Sequence, residues 1–328
     1  MAFGPENNMN ANPAENKPSA DPLAAYKERV RAAAENEKTK KDVLFASKGY
    51  ELINTDFAKI EIPDLGKQLL DEIEDVKKRF RERETNRGNY GKLREISMHD
   101  SRWLSNTADF IKENGDNADI IKKFWREFEM KFKNLVNEEG NNVGKVYKNS
   151  ILGTIATEKV LEEDFGLKID PGDQKKDIDY KIDATAITKD KDGRNVFIAM
   201  QYFSNNWEGL LTEDKIFLSE NGMVQFFSED DLNKEWHSHA QTIFAKVMEE
   251  KIQKTKNGCM EYIRDHEREI GDAKFMLMFA TMPVGAEHNR PIVDETGELV
   301  NKNKKEHFCR QFKDEFDEKV NGKKFLNR

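Results

Sequence analysis

The chain has 328 residues, enough for one large domain or two smaller ones with a sizeable core. Charged residues make up 35% and hydrophobic ones 37%, but 21 phenylalanines make the chain too aromatic to be disordered throughout. A net charge of -8 argues against a protein that coats nucleic acid by bulk basicity and leaves a local basic site as the alternative.

The first segment, Met1 to Asp21, is rich in Asn and Pro and reads as a disordered tail. Its start, MAFGPENNMN, lacks the basic segment and apolar core of a secretory signal. Nowhere does the chain carry the run of about 20 apolar residues that a membrane span needs. Cys259 and Cys309 lie far apart without metal-ligand spacing, as expected of reduced thiols. A cytoplasmic or otherwise intracellular chain with no membrane partner is expected.

Residues 22–41 read as a helix rich in Ala, Glu and Lys, and 51–62 as a loop with a short strand. Beyond Pro63, Leu65, Leu69, Ile73, Val76 and Phe80 recur at helical spacing, with Asp64 as N-cap and a stop before Asn86 and Gly88. The stretch 77–102 is basic in places. Arg87, Lys92 and Arg94 could meet a phosphate backbone, while interspersed Glu82, Glu84 and Glu95 favour a salt-bridged surface helix. A further helix spans about 117–136, its stripe formed by Ile121, Phe124, Phe128, Phe132 and Leu135 with Trp125 beside it.

Ser150 is placed to cap a helix over 151–164 that Phe165-Gly166 closes. Ile178, Tyr180, Ile182, Ala184 and Ala186 then alternate with polar residues, which is strand periodicity. KDKDGRN makes a turn, and Val196 to Phe203 is apolar enough for a central strand. A helix over 229–256, a break at Asn257-Gly258, a buried strand over 273–282, a polar loop or ribbon over 285–303 and a helix over 307–320 complete the pattern. The fold class expected is α/β or α+β, a mixed central sheet flanked by helices. The expected organisation is a tail over 1–21, a mainly helical region over 22–145 and a mixed α/β region over 146–328.

The helix and hairpin from Ser150 to Phe203 gather carboxylates. Glu158 and Glu162 share a helix face, Asp179 and Asp183 share a strand face, and Asp183 falls opposite Met200 or Gln201. Grouped carboxylates are hard oxygen ligands for Mg²⁺, and such a cation, with a nearby lysine, suits phosphodiester cleavage. The same constellation could also be the solvated face of an ordinary hairpin.

This segment resembles the core of the PD-(D/E)XK nuclease superfamily. Its members carry an acid on one core strand, an acid or Gln, any residue and Lys on the next, and often a Glu on an upstream helix. The resemblance puts the first acid on Asp183, with Asp179 as the competing registration, and the helix acid on Glu158 or Glu162. If Gln201 takes the second-strand acid position, Phe203 stands where Lys belongs. If Gln201 takes the Lys position, as Gln does in some restriction enzymes of the superfamily, Ala199 stands where the acid belongs. The resemblance implies a restriction-endonuclease-like fold that cleaves or binds DNA or RNA with Mg²⁺ or Mn²⁺. Its catalytic set is Glu158, Asp183 and Gln201, its metal ligands come from Glu158, Asp179 and Asp183, and Lys181 joins Arg87, Lys92 and Arg94 as nucleic-acid contacts. The alternatives are an inactive nucleic-acid-binding or protein-interaction module and a structural component, with a protein partner or a second copy of the chain. His237 and His239 at WHSHA, and His99 with Asp100 and Arg102, lack the companions that a metal site or a nucleophile needs.

Overall fold

The structure, a computed structural model, describes residues 60–137, 141–172, 174–206, 223–234, 243–287 and 290–322. The expected tail over 1–21, the helix expected over 22–41, and His237 and His239 lie outside the described residues.

The first helical stripe folds as two helices, α1 (Asp64–Asp71) and α2 (Ile73–Thr85), with Glu72 between them. Pro63, not Asp64, occupies the N-cap position; Asp64 is the first helical residue, where its charge favours the positive helix end. Next comes α3 (Tyr90–Glu113), opened by the Asn89 side chain, which accepts from the Lys92 N–H at 3.1 Å. The stripe of α4 (Ala118–Lys131) buries Ile121, Phe124, Trp125 and Phe128. Helix α5 (Val143–Phe165) starts well before Ile151 because Asn142, rather than Ser150, caps it, accepting from the Lys145 N–H at 3.0 Å. Its C-terminus is Gly166, whose φ of 63° is the left-handed cap conformation glycine adopts without strain.

A five-stranded sheet follows, with β1 (Ile169–Pro171), β2 (Ala184–Lys189), β3 (Asn195–Asn206), β4 (Met223–Ser228) and β5 (Lys274–Val284) in the order β1-β2-β3-β5-β4. Only the β3–β5 pair is parallel; β1–β2, β2–β3 and β4–β5 are antiparallel. The expected hairpin is therefore present, with Ala184 opposite Met200 and Lys189 opposite Asn195. Its first strand is shorter than the alternation predicts. Residues Gln174–Tyr180 form a short helix, α6, and only Ala184 onward is strand. Tertiary contacts override the period: Tyr180 packs edge-on to Tyr262 with ring centroids 5.3 Å apart, and Lys181 turns the chain at φ 58°.

Helices α7 (Glu229–Leu232), α8 (Ile243–Asp265) and α9 (Glu267–Ile270) precede β5. Asn257-Gly258 does not break α8. A Cβ on Gly258 would stand 2.2 Å from the Tyr180 carbonyl oxygen, so glycine here lets α6 and α8 touch. A small ribbon, β6 (Ala286–Glu287) and β7 (Arg290–Pro291), and α10 (Lys302–Lys319), capped by Asn301, end the fold.

Alternating residues of β3 and β5 serve two cores. Ile198, Met200, Met276 and Met278 face the cluster that includes Ile155 of α5 and Phe312 of α10. Phe197, Ala199, Phe275 and Leu277 face Ile252 and Tyr262 of α8. This double burial explains the near-continuous apolar sequence of both strands. Trp103, Phe124 and Phe128 belong to the first cluster too, so the described helices before Val143 share a core with the sheet. Among the described residues, no helix is long and apolar enough to cross a membrane.

Candidate active site

Asp183 stands at the bend that leads into β2. Its N–H donates to the Met200 carbonyl at 2.8 Å, extending the hairpin ladder. Its carbonyl accepts from the Gly172 N–H at 2.7 Å. A Cβ on Gly172 would lie 2.7 Å from that same oxygen, so only glycine lets the β1 end approach this closely. The Asp183 carboxylate accepts from the Gln201 side-chain amide at 2.5 Å and from the Tyr202 N–H at 2.6 Å. Sequence reasoning anticipates the nearness of Asp183 and Gln201, since the turn length and alternation fix it.

Glu158 reaches the same place from α5. It is buried, and Lys112 of α3 donates its ammonium to the Glu158 carboxylate. Burial raises the Glu158 pKa above its ordinary value, Lys112 pulls it back, and Glu162 and Asp109 add to the rise. The Asp183 carboxyl is pushed well above its ordinary range, first by desolvation and then by the charges of Asp177 and Glu158, against the Tyr202 hydrogen bond.

A pocket of about 370 Å³ joins these groups, within the range of small-molecule sites. Glu158, Asp183, Gln201 and Phe203 line it, together with Lys112 and Asp177. Asp177 accepts from the Ser101 hydroxyl at 2.5 Å, which ties α6 to α3. Phe203 contributes no charge; its ring tilts against Phe279 at 4.8 Å, and the Lys251 ammonium lies 4.6 Å from its centroid.

Asp179 is elsewhere. Its carboxylate takes a two-pronged ion pair from Arg94 at 2.8 and 2.7 Å, which lowers its pKa, and it does not line the pocket. Of the two registrations, Asp183 is the one that meets Glu158 and Gln201. Arg87, Lys92, Arg94 and Lys181 do not line the pocket either. Lys92 bonds Glu95 at 3.2 Å, and the Lys181 ammonium donates to the Ile178 carbonyl at 2.8 Å. Asp100 is buried under Arg79 and Arg83, at 2.7 and 3.2 Å, as an ion-pair anchor between α2 and α3.

Comparison with known proteins finds no matching family model, curated protein or solved structure.

Lys112, Asp177 and Ser101 are among the pocket residues that sequence reasoning missed. Lys112 and Ser101 lie on a helix that shows no clean apolar stripe, and Asp177 directly precedes a run whose alternation imitates a strand. No local pattern links Lys112 to Glu158, 46 positions away.

The oxygen donors here are of the hard kind that Mg²⁺ takes. Among the described residues, no three His, Cys, Asp or Glu side chains gather as a metal-binding group. Mg²⁺ does not require such a group, because it commonly keeps several waters and uses one or two carboxylates plus substrate phosphate. Asp183 and Glu158 fit that smaller role, and the like-charge crowding around Asp183 is a cost that a bound cation would offset.

Proposed function

We propose that this chain is a metal-dependent phosphodiester hydrolase of the restriction-endonuclease-like kind, acting on DNA or RNA. The observation that carries the proposal is the meeting of Asp183 at the bend into β2, Gln201 of β3 and Glu158 of α5 in one pocket with a lysine ammonium. Asp183 and Glu158 would hold Mg²⁺ or Mn²⁺, which neutralises phosphate charge and makes the attacking water more acidic. Lys112 supplies the positive charge that Phe203 cannot, and it comes from α3 rather than from β3. Glu158, reaching the pocket from α5, would either ligate the metal ion or position its water. The Gln201 amide, once turned from Asp183, can orient water or a phosphate oxygen.

The test is cleavage of single- and double-stranded DNA and RNA with Mg²⁺ or Mn²⁺, the parent against Asp183→Ala. Losing a ligand of the reacting centre lowers the rate on the order of a thousandfold. A parent that cleaves none of these substrates contradicts the hydrolytic reading. A second reading, a non-catalytic nucleic-acid-binding module, draws on the satisfied pairs Lys112–Glu158 and Gln201–Asp183. It predicts nucleic-acid binding with no cleavage.

A further inference from the structure

A second and larger cavity, about 920 Å³, lies on the other side of α5 between α4 and the segment around β6 and β7. Helix α5 serves both cavities. Ser150, Thr154 and Glu158 face the candidate active site, while Asn142, Lys145, Lys148 and Asn149 line the larger groove. Lys122 and Lys133 line it from α4 and the turn beyond. Four lysines therefore edge one groove on a chain whose net charge is -8.

The acids in the groove do not cancel them evenly. Lys148 pairs with both Glu129 and Glu295, at 2.7 and 3.8 Å. Asp294 is committed to its own turn, accepting from the Thr296 and Glu298 N–H groups at 2.8 and 3.0 Å. Among the described residues, neither Lys122 nor Lys133 makes an ion pair. Asn149 adds an independent sign of a ligand: it is buried, it lines the groove, and its Nδ2 has no hydrogen-bond acceptor. A buried amide without a partner is costly, and a phosphate oxygen would satisfy it.

We propose that this groove binds the phosphate backbone of a single nucleic-acid strand whose continuation lies in the pocket of Asp183. The inference rests on the hydrolytic reading for the continuation and on the groove itself for the binding. A helix with its side chains is about 10–12 Å across. A strand a few nucleotides long spans that distance, so one strand can cross α5 and occupy both cavities. Lysine ammoniums suit such a strand because they read charge and not sequence.

The experiment measures binding of labelled single-stranded DNA and RNA oligonucleotides to the full chain in chelator, where no cleavage interferes. The double variant Lys122→Glu, Lys133→Glu is compared with Lys122→Arg, Lys133→Arg. Both lysines are exposed, so the fold should persist, and circular dichroism checks that it does. Charge reversal is expected to weaken binding at least about tenfold and to reduce the salt slope by about two, while the arginine variant binds like the parent. Equal weakening for both strands assigns the site to phosphate, and a larger effect for RNA assigns it to a strand with its 2′-hydroxyls. Unchanged binding after charge reversal overturns the inference, as does equal displacement of the oligonucleotide by polyglutamate. If the parent cleaves and charge reversal leaves binding intact, the groove fails alone. If the parent never cleaves and charge reversal still weakens binding, the groove stands and the hydrolytic reading fails.

Discussion

Burial and the neighbouring charges of Asp177 and Glu158 hold the Asp183 carboxyl well above its ordinary range. The folded state therefore binds more protons than the unfolded chain between the two pKa values. Stability falls as pH rises from the unfolded value, 3.8, through the folded one, and the loss is complete above both. Asp183→Asn should raise the thermal midpoint at neutral pH, and the gain should shrink as pH falls towards about 4 and vanish below it. Equal gains at both pH values would contradict the crowding. Mg²⁺ should raise the midpoint of the parent and leave Asp183→Asn unmoved, because only a ligand bound to the folded site shifts the equilibrium. The Lys112–Glu158 pair invites a double-mutant cycle. Lys112 is 32% exposed, so Lys112→Met should cost about 1–3 kcal/mol, less than the roughly 3–5 kcal/mol of a fully buried pair. Adding Glu158→Gln should recover most of that loss in urea unfolding, because it removes the stranded charge.

At the level of elements, the close passage of α6 over α8 positions Asp177 and the turn into Asp183. Gly258→Ala should gain about 1 kcal/mol of helix propensity in an exposed helix. Here the new Cβ would meet the Tyr180 carbonyl at 2.2 Å, and relieving that overlap should cost about 1–3 kcal/mol. The clash should win, giving a lower unfolding midpoint; a higher one would contradict the packing. The same site shows where sequence reading succeeds and fails. The β2–β3 hairpin is legible because strand period and a Gly turn agree, and they bring Asp183 to Gln201 without further information. Residues 178–180 are misread because their alternation is compatible with both periods, and Arg94, Tyr262 and Gly258, all remote in sequence, choose the helix. Helix α3 escapes notice because its stripe is interrupted by polar residues that are paired in the fold, such as Asp100 with Arg79.

Across the whole molecule, one core connects the described helices to the sheet. Phe128 stacks on Trp103 at 5.7 Å and touches Phe124 and Phe132, so Phe128→Ala should cost about 3–5 kcal/mol in global unfolding. A single cooperative transition is expected for the described core, because Trp103 and the sheet residue Met278 share one cluster. The sequence conveys that such a core exists, through its phenylalanine stripes, but not that α3 would bring Lys112 across to α5. On the proposed reading, Lys112 of α3 would supply the charge that Phe203 lacks. The most direct measurement is the single-turnover cleavage rate in Mg²⁺ for the parent, Asp183→Asn and Asp179→Asn. The pocket predicts a loss on the order of a thousandfold for Asp183→Asn and a rate within about threefold of the parent for Asp179→Asn. Equal losses in both variants, or an unimpaired Asp183→Asn, would contradict it.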